Sequence, residues 1–257
     1  MNRITQLFDA KKNGILSVYF TAGYPQLEDT VRVLKVLEAK GIELVEIGIP
    51  FSDPMADGPV IQEASTQALR NGMSLKKLFE QLQDVRKEVK IPIIFMGYLN
   101  PIMQFGFEAF CRKCVEVGVD GMIIPDLPFG DYMSDFKALT DKYNLKTIML
   151  ITPETTEERI RLIDENTEGF IYMVSSAAIT GTQKSFNEVK QAYFRRIDAM
   201  GLKNPRMIGF GISNKETFET ATANAAGAII GSKFVQLLGS EPTPEQAVDQ
   251  LLEALKQ

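Results

Sequence analysis

Glu46 has the strongest claim to chemistry in this chain. It sits in the apolar run ELVEIGI, residues 43–49, and the next ten residues, PFSDPMADGP, carry Asp53 and Asp57 in a loop stiffened by Pro50, Pro54 and Pro59. Successive residues of a strand alternate between faces, so Leu44, Glu46 and Gly48 share one side and Val45, Ile47 and Ile49 the other. The wholly apolar side belongs against other elements of the core, which turns Glu46 the opposite way. The sequence contains no histidine. Any proton transfer must therefore fall to Asp, Glu, Lys, Tyr, Cys or water. A partly desolvated Glu46 would have a raised pKa and exchange protons near neutrality. The alternative is a structural carboxylate bonded to a neighbouring Tyr or backbone amide. Asp53 and Asp57 divide in the same way. Either could stabilise positive charge developing on a substrate, and either could simply form the turn that Asp-Pro and Asp-Gly-Pro favour. A carboxylate cluster can also hold Mg²⁺, but much of this loop is apolar or Pro.

A second set of residues lies near the other end of the sequence. GFGIS, 209–213, GSKF, 231–234, and ITGT, 179–182, are glycine-bearing segments that each follow a short apolar run. Glycine lets a backbone approach an anion closely, and a helix N-terminus presents free N–H groups to it. Ser232 adds a hydroxyl, and Lys233 brings a positive charge. The residues of 179–182 could form a third wall and a lid. Tyr19, Phe20, Met96, Tyr98, Tyr172 and Phe210 fall at the ends of apolar runs. As a ring they suggest a flat apolar substrate portion joined to a phosphate.

The elements that must position these groups alternate along the chain. Strands are expected at 15–20, 43–49, 91–96, 121–124, 146–150, 170–174, 206–211 and 227–230. Helices are expected at about 2–12, 27–40, 60–70, 74–89, 107–117, 131–143, 155–165, 186–201, 214–224, 231–238 and 244–256. Several strands are apolar at nearly every position and so need cover on both faces. The α/β arrangement that satisfies this is a closed (β/α)8 TIM barrel, one domain over 1–257, with an extra N-terminal helix. Its active face would be the C-terminal end of the strands, where Glu46, Asp57 and the glycine segments converge. A doubly wound open sheet is the competing architecture, but the first turn, TAGYP, lacks the GxGxxG of a dinucleotide fold.

Composition restricts the function classes. The chain has 257 residues, of which 45% are hydrophobic and 24% charged, and a formal charge of −5. That balance, with no basic run, argues against nucleic acid. No stretch approaches the apolar length of a membrane span, and no cleavable signal is visible, so a cytoplasmic protein is expected. Cys111 and Cys114 are the only cysteines. They have no second pair or histidine to complete a zinc site and read as reduced helix residues.

The sequence resembles the tryptophan synthase alpha-subunit family. VEIGIPFSDPMADGPVIQ, 45–62, carries most of the resemblance. ILSVYFTAGYP, PDLPFGD, VSSAAITG, GFGIS and GSKFV follow the family's order, so the likeness spans essentially the whole chain. It implies a (β/α)8 barrel lyase that cleaves indole-3-glycerol phosphate to indole and D-glyceraldehyde 3-phosphate. Glu46 matches the catalytic Glu of the family, and Asp57 the Asp that meets the indole N–H. Tyr19, Met96, Tyr98, Tyr172 and Phe210 match substrate-pocket positions. Thr180 matches the threonine of a mobile loop, and Gly181, Gly211, Gly231 and Ser232 match the phosphate binders. The implied partner is the beta subunit in an alpha2beta2 heterotetramer, to which indole is channelled for L-tryptophan synthesis. Pyridoxal phosphate is expected only in that partner, and no cofactor or metal in this chain. Ser176 and Pro125 depart from the enterobacterial pattern, where Arg and Ala stand. Another phosphosugar barrel, such as an isomerase or epimerase, and a non-catalytic partner that only activates a beta subunit are the alternatives.

Overall fold

A computed structural model describes residues 1–174, 183–209 and 211–256. Eight parallel strands close in sequence order into a barrel. They are β1 (Ile15–Thr21), β2 (Leu44–Gly48), β3 (Ile93–Met96), β4 (Gly121–Ile123), β5 (Lys146–Ile151), β6 (Ile171–Val174), β7 (Arg206–Gly209) and β8 (Gly227–Ile230). Helices lie between successive strands and after the last one. The α/β barrel expected from the alternating pattern is therefore the observed fold.

The period of two sorts each strand into an inner and an outer face. Val45, Ile47 and Ile49 face outward into the core shared with the helices. A separate inner core takes Ile15, Leu44, Ile94, Ile123, Ile148, Tyr172, Met207 and Ile229, one residue from each strand. Ile4 and Phe8 of the N-terminal helix, Arg3–Ala10, join this inner core. That helix therefore packs against the barrel end opposite the C-terminal ends of the strands.

Asp120 fastens the N-terminal helix in place. Its two carboxylate oxygens accept from Arg3 Nη1 at 2.9 Å, Arg86 Nη2 at 2.7 Å and the Ile93 N–H at 3.0 Å. Its carbonyl accepts from the side chain of Asn2, the helix N-cap, at 2.8 Å. Burial lowers the Arg86 pKa to about 10, so this cation depends on its carboxylate. Replacing Asp120 by Ala leaves a largely buried guanidinium without its counter-charge, held only by backbone carbonyls. The expected cost is about 3–5 kcal/mol of unfolding free energy, measured by urea denaturation. A loss below about 1 kcal/mol would mean that the cluster behaves as a solvated surface pair.

Two helices depart from the pattern reading. Residues 74–89 are not one helix: Leu75–Leu82 gives way to a short 3-10 turn, Val85–Lys87. The break carries Arg86 to the carbonyls of Gly118, Val89 and Ile91 as well as to Asp120. Leu99–Phe105 is a helix the periodicity did not suggest. Asn100-Pro101 reads as a turn, but proline is tolerated in a first helical turn, where its missing N–H has no partner to lose. Asp126 accepts from the Leu99 N–H at 2.9 Å and steadies that first turn.

Candidate active site

A cavity of about 250 Å³ opens at the C-terminal ends of the strands. Tyr19, Glu46, Asp57, Met96, Tyr172, Gly211, Gly231 and Ser232 line it, together with Ile61, Ile212, Ser213, Ile229, Lys233 and Gln236. Residues far apart in sequence meet here because β1, β2, β7 and β8 are neighbours around the barrel. Thr180, Gly181, Phe210 and Ser176 lie outside the described residues.

Glu46 is fully buried and points inward. Ser17, on the inner face of β1, donates from Oγ to Glu46 Oε1 at 2.9 Å. Among the described residues Oε2 has no hydrogen-bond partner. Removal from water disfavours the charged form and pushes the carboxyl up to about 8, against a smaller downward pull from Ser17. The group therefore holds its proton at neutrality, beside an apolar space large enough for a ring. A purely structural carboxylate would have its oxygens satisfied.

Asp57 occupies the other side. Burial raises its pKa, and the hydrogen bond from Tyr98 opposes that shift. Tyr98 does not line the cavity. Its hydroxyl accepts from the Ala56 N–H at 2.9 Å and donates to Asp57 Oδ2 at 3.0 Å, so it braces the loop against the end of β3. Asp53 is exposed, is bonded to the neighbouring Ser52 and takes no part in the cavity wall. Pro125 lies in a separate groove with Leu127, Phe129 and Arg159.

Two glycines make room for two tyrosines. A Cβ at Gly48 would fall on the phenol of Tyr19, and a Cβ at Gly209 on the phenol of Tyr172. Gly209, the first glycine of GFGIS, thus admits Tyr172 to the wall. Gly211 is a different case. It adopts φ +76°, a conformation that favours glycine, and lies on the cavity. At Gly231 a Cβ would meet Tyr19 and Ile61 only at ordinary distances of 3.7–3.8 Å. Packing alone does not demand glycine there, whereas close approach of a ligand would. The helix Ser232–Ser240 starts directly after it, and its first N–H groups have no partner within the helix. Gly211, Gly231, Ser232 and Lys233 share the cavity lining with Glu46 and Asp57, and a helix start of this kind presents N–H groups that suit an anion.

The family model for the tryptophan synthase alpha chain matches residues 5–257 of this sequence. The chain belongs to the tryptophan synthase alpha chain family. Among its relatives, the tryptophan synthase alpha chain of Parabacteroides distasonis is 74% identical over the whole of both chains. That of Flavobacterium johnsoniae is 59% identical over 238 residues, covering 93% of this chain and 94% of the relative. Among solved structures, tryptophan synthase subunit alpha from Legionella pneumophila superposes with a TM-score of 0.89. It has 35% identity and covers all of this chain and 98% of that one. A chain of tryptophan synthase from M. tuberculosis gives a TM-score of 0.86 at 26% identity, with full coverage of both. Among the described residues no group of three or more His, Cys, Asp or Glu side chains could hold a metal ion, and no helix is long and apolar enough to cross a membrane.

The family membership gives the residues missed by sequence reasoning a context. Ser17 carried a signal: it is a small hydroxyl residue on the inner side of β1, two residues before Tyr19, which pairs with Glu46 in register. Ile61 and Gln236 carried none, because their exposure to the cavity depends on how their helices lie over the barrel mouth.

Proposed function

We propose that this chain cleaves indole-3-glycerol phosphate to indole and D-glyceraldehyde 3-phosphate, with Glu46 as the proton carrier. The observation that carries the reading is the fully buried Glu46 on the cavity lining, its Oε2 without a partner among the described residues and its pKa raised by burial. Glu46 gives its proton to indole C3, and the ring becomes an indolenine cation. Asp57 accepts from the ring N–H and stabilises that charge. The Glu46 carboxylate then takes the proton from the hydroxyl on the adjacent side-chain carbon. The bond between that carbon and C3 breaks, its electron pair restores the indole, and the aldehyde departs. Glu46 ends with its proton back, so the cycle needs no external acid or base.

Gly211, Gly231 and Ser232, with Gly181, hold the phosphate. Binding energy from that remote group fixes the ring over Glu46. Tyr19, Met96 and Tyr172 enclose the indole, Tyr98 sets the Asp57 loop, and the family resemblance adds Phe210 and Thr180 as substrate residues. The partner is a cytoplasmic beta subunit that receives the indole in an alpha2beta2 assembly. Met55, 92% exposed in the Asp57 loop, and Met103, 49% exposed in the helix Leu99–Phe105, offer it apolar contact.

The test is indole release from indole-3-glycerol phosphate by the purified chain, with and without the beta subunit. Slow release alone and faster release with the partner supports the reading. No release under either condition, with phosphate ligands still bound, would leave a non-catalytic binding partner.

A further inference from the structure

The Ser17–Glu46 contact has a role beyond packing. Both residues are fully buried, and each sits on the inner face of its strand. The glutamate side chain has several rotatable bonds, and the wall around its carboxyl is mostly apolar: Ile229, Met96 and the ring of Tyr172 share the cavity with it. Ser17 supplies the one described hydrogen bond to it, 2.9 Å from Oγ to Oε1.

We infer that Ser17 is a positioning residue for the cleavage reaction: its hydroxyl holds Oε1 and leaves Oε2 as the oxygen that exchanges the proton with substrate. The inference rests on the role proposed for Glu46. A serine hydroxyl can donate to Oε1 whether the carboxyl is neutral or ionised. In the neutral form Oε1 is thus the acceptor, and the acid proton resides on Oε2, the atom without a partner among the described residues. In the ionised form the same bond keeps the carboxylate aimed for the return transfer. Two successive proton movements at one oxygen need the group to stay in one rotamer between them, and the hydroxyl provides that restraint.

The ionisable groups around Glu46 are Tyr19 from β1, Asp57 from the loop after β2 and Tyr172 from β6, with Lys233 on the same cavity wall. Burial and the Ser17 hydrogen bond are what move the Glu46 carboxyl, in opposite directions. Loss of the hydroxyl removes the downward pull.

The test is the pH dependence of kcat and kcat/KM for indole-3-glycerol phosphate cleavage by the full chain and by Ser17→Ala, Ser17→Thr and Glu46→Gln. For the wild type the alkaline limb should lie near 8. In Ser17→Ala it should move up by about one pH unit. The value of kcat at pH 7 should fall about tenfold, with KM little changed because Ser17 does not line the cavity. Ser17→Thr should restore both the limb and kcat. A Ser17→Ala limb that stays in place, with kcat close to wild type, overturns the inference. If Glu46→Gln is inert in that case, only the role of Ser17 fails; if Glu46→Gln is active, the reading of the whole site fails with it. Carbon-13 NMR titration of the Glu46 carboxyl in Ser17→Ala decides the matter even where activity is too low to follow: an upward move supports the inference and an unchanged midpoint contradicts it.

Discussion

Glu46→Gln is expected to lower kcat for indole-3-glycerol phosphate cleavage by roughly 10²–10⁴-fold, the range that a single general acid–base residue contributes. Gln keeps the size of the side chain and can still accept from Ser17, so the cavity should persist and KM should move little. What is lost is a proton that can leave and return. The same substitution should alter stability in a pH-dependent way. The folded-state pKa of Glu46 is raised from 4.5 to about 8. Between those values the unfolded chain releases the proton while the native chain keeps it, so native stability falls as pH rises through that window. Above the folded value both states are ionised and the contribution is constant. Glu46→Gln lacks this slope, and denaturation of the two proteins at pH 5 and pH 8 measures the difference. An active Gln variant would remove the basis for the assignment.

Asp57→Asn should reduce kcat by about 10²–10³-fold, the scale associated with loss of one preorganised electrostatic partner of a charged transition state. The substitution is nearly isosteric, and Asn can still accept from the Tyr98 hydroxyl, so the loop should hold its place. The loss is the negative charge that faces the ring nitrogen as C3 gains a proton. Ground-state binding should suffer less than kcat, because the neutral indole N–H carries only a partial charge. An equal loss in KM with unchanged kcat would instead make Asp57 a binding residue, and the charge-stabilising role would go.

The barrel was legible in the sequence because burial on both faces of a parallel sheet imposes a pattern that cannot be hidden. The orientation of Glu46 followed from the alternation in β2 alone, since Val45, Ile47 and Ile49 leave one side for it. The places of Gly211 and of the Gly231-Ser232 helix start on the cavity were legible as well, because the loops after the last strands of a barrel converge on its active face. Other features depend on distances that no local pattern records. Gly48 and Gly209 are small so that Tyr19 and Tyr172 can lie across them, and the sequence distinguishes neither from a phosphate-loop glycine. Asp53 and Asp57 have similar proline- and glycine-rich surroundings. Only the folded loop sets Asp57 on the cavity, with Tyr98 behind it, and leaves Asp53 in solvent. The turn at 83–84 that ends the helix Leu75–Leu82 was hidden for a similar reason, since the groups that hold Arg86 come from β4's approach and from the chain before β3.

The protonation state of one side chain underlies the proposed chemistry, and it can be measured without substrate. With glutamate labelled at the side-chain carboxyl carbon, and Glu46→Gln used to assign the signal, the Glu46 resonance of the free chain should titrate with a midpoint near 8. A midpoint near 4.5, the ordinary value for glutamate, would mean that the group is a carboxylate at neutral pH and has no proton to deliver to indole C3.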